Sequence, residues 1–202
     1  MKLYYSPGAC SLCPHIVATE LGLDLELHKT DLATKTTAAG DDFFAVHSLG
    51  YVPFLVADNG LELSEVSVIA QYLADLRPDL GLSPAAGSDT RYILLRWLSI
   101  IATEFHKAFW VLFNRSATDE ARTLVATQLE RRLGWLDTQL AGHDFVIGDR
   151  FSIADAYLFT VLRWLPLVKI DRSRWPQLER YHDLLRVRPS VAAAMAREGI
   201  KR

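Results

Sequence analysis

A chain of 202 residues, half of them apolar and 23% charged, has ordinary globular composition and enough length to bury one large core or two smaller ones. Its net charge of -2 leaves no basic surplus to neutralise a phosphate backbone, which argues against nucleic-acid binding. No apolar run is long enough to span a bilayer, and two neighbouring cysteines are too few for a disulfide-stapled fold. The chain reaches Pro7 and Gly8 before any signal-like apolar region forms, so a cytoplasmic protein without membrane attachment is expected.

Lys2 to Tyr5 reads as a short strand stopped by Ser6-Pro7-Gly8, and Leu12, Ile16, Val17 and Leu21 then recur at helical spacing as far as Gly22. Leu25-Glu26-Leu27-His28 alternates as a second strand, completing a β-α-β unit. A loop rich in Thr, Ala, Gly and Asp follows, with a short helix expected near Phe43. Phe54 to Ala57, Asp58-Asn59-Gly60 and Leu61 to Leu63 give a hairpin signal, because Asn-Gly supplies the positive φ angles of a tight turn. Ser64 is placed to cap a helix running to about Leu76.

Between Arg77 and Asp89 prolines and glycines replace bulky residues, as in a linker. Everything beyond reads helical. Leu98, Ile101, Phe105, Phe109 and Leu112 form one apolar stripe, and Leu124, Leu129, Leu133, Leu136 and Leu140 another. Ser152-Ile153-Ala154-Asp155, preceded by Phe151, has the form of a capping box opening a central apolar helix. The expected fold is therefore α/β plus all-α: a βαβ-ββα domain over residues 1–78, a linker at 79–87 and a helical bundle over 88–202.

Cys10 follows a strand and a Pro-Gly turn where a helix begins, a position at which backbone N–H groups and the helix dipole favour a thiolate. Cys10-Ser11-Leu12-Cys13 is also a C-x-x-C pattern, which brings two sulfurs to one helix face; Cys13 is read either as a resolving thiol or as a small buried residue. Ser99, Thr103, His106 and Trp110 share a helix face opposite the apolar stripe and would form one wall of a cleft.

Lys2 to Leu12 with Cys10, Tyr51-Val52-Pro53, Ser64-Glu65, Gln71 to Asp75, Ala102 to Lys107 and Ser152 to Phe159 together resemble, in order and spacing, the bacterial beta-class glutathione transferases. The resemblance covers essentially the whole chain. It implies a thioredoxin-like N-terminal domain that binds glutathione as co-substrate, a helical domain that builds the second-substrate site, a homodimer and no metal. Cys10 would contact the glutathione sulfur and form a mixed disulfide with it, while Tyr5 would be a packed strand aromatic and not the catalytic group. Val52-Pro53 would form a cis-proline turn pairing with the tripeptide backbone. Lys35 would reach the glycyl carboxylate, and Glu65 with the start of its helix, at Val66, would hold the γ-glutamyl end. His106 and Lys107 would lie near the glutathione sulfur as donor and cation. Ser99 and Thr103 stand at glutathione contacts, and Trp110 and Trp164 would border the pocket for a small hydrophobic electrophile.

Three positions depart from the family pattern. Val66 replaces Ser or Gly, leaving only its backbone N–H for a ligand; Ser99 replaces Asn; and Cys13 replaces a small non-thiol residue. The leading expectation is conjugation or thiolysis of an electrophile by the glutathione thiolate. The alternatives are a glutathione-dependent dithiol oxidoreductase using Cys10 and Cys13, and a non-enzymatic carrier of hydrophobic ligands.

Overall fold

The computed structural model describes residues 1–200. Two compact units divide the chain: the first holds Met1–Ser83 together with the described residues from Arg188 onward, the second Pro84–Val187.

In the first unit the strands are β1 (Lys2–Tyr5), β2 (Glu26–Asp31), β3 (Thr36–Thr37), β4 (Phe54–Val56) and β5 (Glu62–Ser64). They form one sheet in the order β3-β2-β1-β4-β5, in which β1 runs parallel to β2 and every other pairing is antiparallel. The parallel pair needs a crossover, which α1 (Leu12–Glu20) supplies. Leu3 and Tyr5 are buried on one face of β1. Tyr4, pointing the other way, packs on Phe43 and Phe54 in a second cluster that also takes Val52 and Ala9. Phe43 opens α2 (Phe43–Val46), the short helix expected there, whereas the two-residue β3 has no signal in the sequence.

The β4–β5 turn differs from the tight Asn-Gly turn expected. Within it only Gly60 has a positive φ, 83°, and Ala57 exchanges hydrogen bonds with Gly60 and Leu61, as in a three-residue loop closed by a left-handed glycine. The cap of α3 (Val66–Asp75) also differs: Ser64 is spent as the last residue of β5, and Glu65 takes the N-cap position without a side-chain capping bond. A 3₁₀ turn, Pro78–Leu80, leads out of the unit.

The second unit contains α4 (Asp89–Ile100), a π-helical turn (Ile101–His106), α5 (Lys107–Phe113), α6 (Asp119–Gln139), α7 (Ile153–Leu162) and α8 (Pro176–Arg186). One uninterrupted α-helix would carry the stripe Ile101, Phe105, Phe109 progressively off its face, since steps of four overshoot the 3.6-residue turn. The wider π turn absorbs that drift, and all three residues are buried. In α6 Leu129, Leu133 and Leu136 are buried as the stripe requires, but Leu124 is 60% exposed. Every residue of α7 is buried, so it is the central helix of this unit. The last helix, α9 (Pro189–Arg197), packs on α1 in the first unit, although the sequence reading assigns it to the helical domain.

Candidate active site

The segment ahead of α1 is built to hold one sulfur in place. Ala9 N–H donates to the Ser6 carbonyl at 3.0 Å, with Pro7 and a left-handed Gly8 between them, a turn these two residue types favour. Ser11 ties the loop shut: its hydroxyl accepts from Ser6 N–H and donates to the Ser6 carbonyl, each at 3.2 Å. From beneath, Glu198 accepts the Gly8 N–H at 2.9 Å through one carboxylate oxygen and meets His15 Nδ1 at 2.9 Å through the other. Cys10 therefore stands one residue before the N-cap of α1.

Cys10 is only partly exposed, and its thiol donates to the Val52 carbonyl at 3.1 Å, next to a cis Val52–Pro53 bond. Both sides of this contact are anchored, because Ala9 and Val52 pack in the Phe43–Phe54 cluster. The expected easy ionisation is not what this environment gives. Burial pushes the Cys10 thiol up to about 12; the N–H groups of Cys10 and Ser11 pull it down without prevailing, and the Glu65 charge adds to the rise. Cys13 is fully buried in α1, and burial raises its thiol well above the ordinary value.

The loop that presents Val52 carries further polar groups. Lys35, itself at a φ of 58°, donates to the Gly50 carbonyl at 2.9 Å, and its ammonium lies 5.5 Å from the centre of the Tyr51 ring. Gly50 requires its hydrogen side chain, since its φ is 60° and an added Cβ would fall 2.7 Å from the Phe44 ring. Glu65 is exposed at a φ of 69°, a conformation that L side chains adopt only when the surroundings impose it. Without a side-chain cap, the first N–H groups of α3 remain suited to a carboxylate. The Val66 side chain is buried, so only its backbone can face a ligand.

In the helical unit His106 closes the π turn and Lys107 opens α5. His106 Nδ1 lies 2.7 Å from the Tyr157 hydroxyl, and the ring packs edge-on to Tyr157 and tilted against Trp164, 5.1 Å between centroids. Trp164 is 6% exposed and meets Phe109 and Phe113, so it sits within an aromatic cluster. Trp110 is 61% exposed, with the Lys107 ammonium 5.7 Å from its ring centre. Ser99 and Thr103 are exposed on the same helix face, but the Thr103 hydroxyl donates to the Ser99 carbonyl at 3.1 Å. Tyr157 and Glu198 are the polar partners that motif reading does not single out. Tyr157 is a polar group inside the apolar run of α7, whereas Glu198 follows α9 between Arg197 and Gly199 and carries no such signal.

Burial, and after it the Lys107 charge, pushes His106 down to about 4, so the imidazole is neutral at physiological pH. Its ring resonances in NMR are expected to stay constant as pH falls past about 6.5, the ordinary histidine value, and to move only on approach to about 4. The unfolded chain takes up this proton first. The stability that His106 contributes is therefore complete above about 6.5 and is lost as pH falls towards about 4. A normal titration near 6.5 in the folded protein would contradict this account of the ring's environment.

Residues 8–76 match the family model described as glutathione S-transferase, N-terminal domain, and residues 100–189 the model for the C-terminal domain. A glutathione S-transferase, GstA, of Escherichia coli O157:H7 is 43% identical over 201 residues, covering 100% of both chains. A sphingomonad glutathione S-transferase solved in complex with glutathione superposes with a TM-score of 0.96 at 46% identity, covering 100% of both chains. A bacterial beta-class enzyme from Sphingomonas chungbukensis gives a TM-score of 0.96 at 44% identity, again over 100% of both chains.

Proposed function

Because the chain belongs to the glutathione S-transferase family, with bacterial beta-class enzymes among its structural matches, we propose a division of labour among its residues in glutathione transfer. The Val52 and Pro53 backbone takes the cysteinyl part of glutathione as an added strand. Lys35 neutralises the glycyl carboxylate, and Glu65 with the N–H groups at the start of α3, including that of Val66, receives the γ-glutamyl end. Cys10 touches the glutathione sulfur. His106 acts as a neutral donor and Lys107 as a cation toward the negative charge on that sulfur. The thiolate then attacks an electrophilic carbon of a small apolar substrate, a carbon–sulfur bond forms, and the leaving group departs with its electron pair. Ser99, Thr103 and Trp110 complete the exposed face on which substrates are held, and Trp164 stiffens the aromatic bed behind His106.

The observation that carries this reading is the convergence of Lys35, Cys10 and the cis-proline loop on three consecutive residues, Gly50, Tyr51 and Val52. Calorimetric titration with glutathione tests it. Lys35→Ala and Glu65→Ala are each expected to weaken binding by about 10- to 100-fold, the scale of a lost charge-assisted hydrogen bond. Undiminished affinity in both variants would defeat the assignment. The dithiol alternative asks Cys13 to reach a mixed disulfide on Cys10, and a fully buried Cys13 favours core packing. Disulfide reductase activity that disappears in Cys13→Ser while conjugation persists would reverse that preference.

We also propose a homodimer working in the cytoplasm. Tyr92, Ile93 and Leu95 on α4 and Leu124 on α6 are large apolar side chains left exposed in the single chain, as residues of a subunit interface would be. Sedimentation at micromolar concentration is expected to give twice the chain mass, and a monomer would refute the assembly. Among the described residues no helix is long and apolar enough to cross a membrane.

A further inference from the structure

We infer that Tyr157 is a positioning residue that fixes the tautomer and orientation of His106, leaving its Nε2–H as the ring's donor. The inference rests on the role proposed above for His106.

A neutral imidazole carries one N–H and one lone pair, and the partner of one nitrogen decides which nitrogen donates. The Tyr157 hydroxyl, 2.7 Å from Nδ1, belongs to a side chain 2% exposed on α7, whose neighbours are all buried, so it is held rigidly. A phenol hydroxyl is a better donor than an imidazole N–H, and its oxygen is a poorer acceptor than the unprotonated imidazole nitrogen. The hydroxyl therefore gives its proton to the Nδ1 lone pair, and the ring proton resides on Nε2.

Packing fixes the plane in which the ring lies. The His106 ring meets Tyr157 edge-on, with 87° between planes, and leans at 58° against Trp164. Trp164 is braced in turn by Phe109 and Phe113. A 180° flip would keep the ring in the same plane but set a C–H against the hydroxyl in place of Nδ1, so the hydrogen bond selects the orientation while the packing holds the plane. The π turn contributes as well, because it sets the register at which His106 follows the buried Phe105. The chemical consequence is a sign: Nε2–H attracts a thiolate, while the other tautomer would present a lone pair to it.

The test is nitrogen-15 NMR of the full-length protein at neutral pH, with Tyr157→Phe as the variant and conjugation kinetics alongside. Wild type is expected to show His106 as the Nε2–H tautomer alone. Tyr157→Phe should give a mixture of tautomers and lower kcat by about tenfold, with KM for glutathione within about twofold, as expected when orientation rather than binding is lost. An Nδ1–H tautomer in wild type overturns the proposal, as does a variant whose tautomer is unchanged or whose kcat is unaffected. If Tyr157→Phe does not fold, the wild-type tautomer decides. The premise is checked separately: full conjugation activity in His106→Ala would remove the catalytic role of His106 even if the tautomer is as described.

Discussion

Cys10 in the free protein is expected to react with iodoacetamide at pH 7 about a thousandfold more slowly than an exposed cysteine. A thiol near 8.5 is about 3% ionised at pH 7, whereas one near 12 is ionised to about one part in a hundred thousand, and only the thiolate attacks. The sign follows from the same shift. A raised thiol pKa means that reactivity grows with pH, by about tenfold per unit from pH 7 to 10, with no plateau in that range. Mass spectrometry of the labelled peptide resolves Cys10 from Cys13, and Cys10→Ala provides the blank. Fast labelling of Cys10, flat between pH 6 and 8, would show a preformed thiolate and would mean that the N–H groups at the helix start outweigh burial.

Replacing Asp155 by alanine is expected to lower the unfolding free energy by about 3–5 kcal/mol, well beyond the loss of about 1 kcal/mol usual for an N-cap. The difference lies in what the carboxylate holds. One oxygen accepts the Ser152 N–H at 2.9 Å and the Ser152 hydroxyl at 2.8 Å; the other accepts the Val146 N–H at 2.9 Å and the Tyr181 hydroxyl at 2.8 Å. The residue is fully buried, so alanine strands donors from a loop, from the start of α7 and from α8 with no water to replace the acceptor. Burial also raises this carboxyl above its ordinary value in spite of the four donors, so the stabilising element is the acceptor geometry and not the charge itself. Ser152→Ala removes one donor and is expected to cost about 1 kcal/mol. Urea denaturation of both variants provides the check, and a similar, small midpoint shift in each would reduce Asp155 to an ordinary cap.

By itself the sequence determined the features that depend on local chemistry. Lys2 to Tyr5, the helix after Ser11, the 54–63 hairpin and the start of α7 carry their own periodicity, turn residues or caps, and each forms close to where it is read. Cys10, Glu65 and Val52-Pro53 are likewise legible as motif positions. Tertiary structure decided whatever depends on a partner distant along the chain. The two-residue β3 exists only through pairing with β2, and α9 joins the first unit because its buried face meets α1. Ser64 looks like a cap until the β4–β5 pairing claims it. The state of Cys10 is the sharpest instance. Helix-start N–H groups favour the thiolate, but the Val52 carbonyl and the burial around Cys10, set by residues about forty positions away, favour the thiol. The pull of the helix-start N–H groups is fixed by neighbours in sequence; the larger, opposing effect is desolvation, which exists only once the chain has packed around the sulfur.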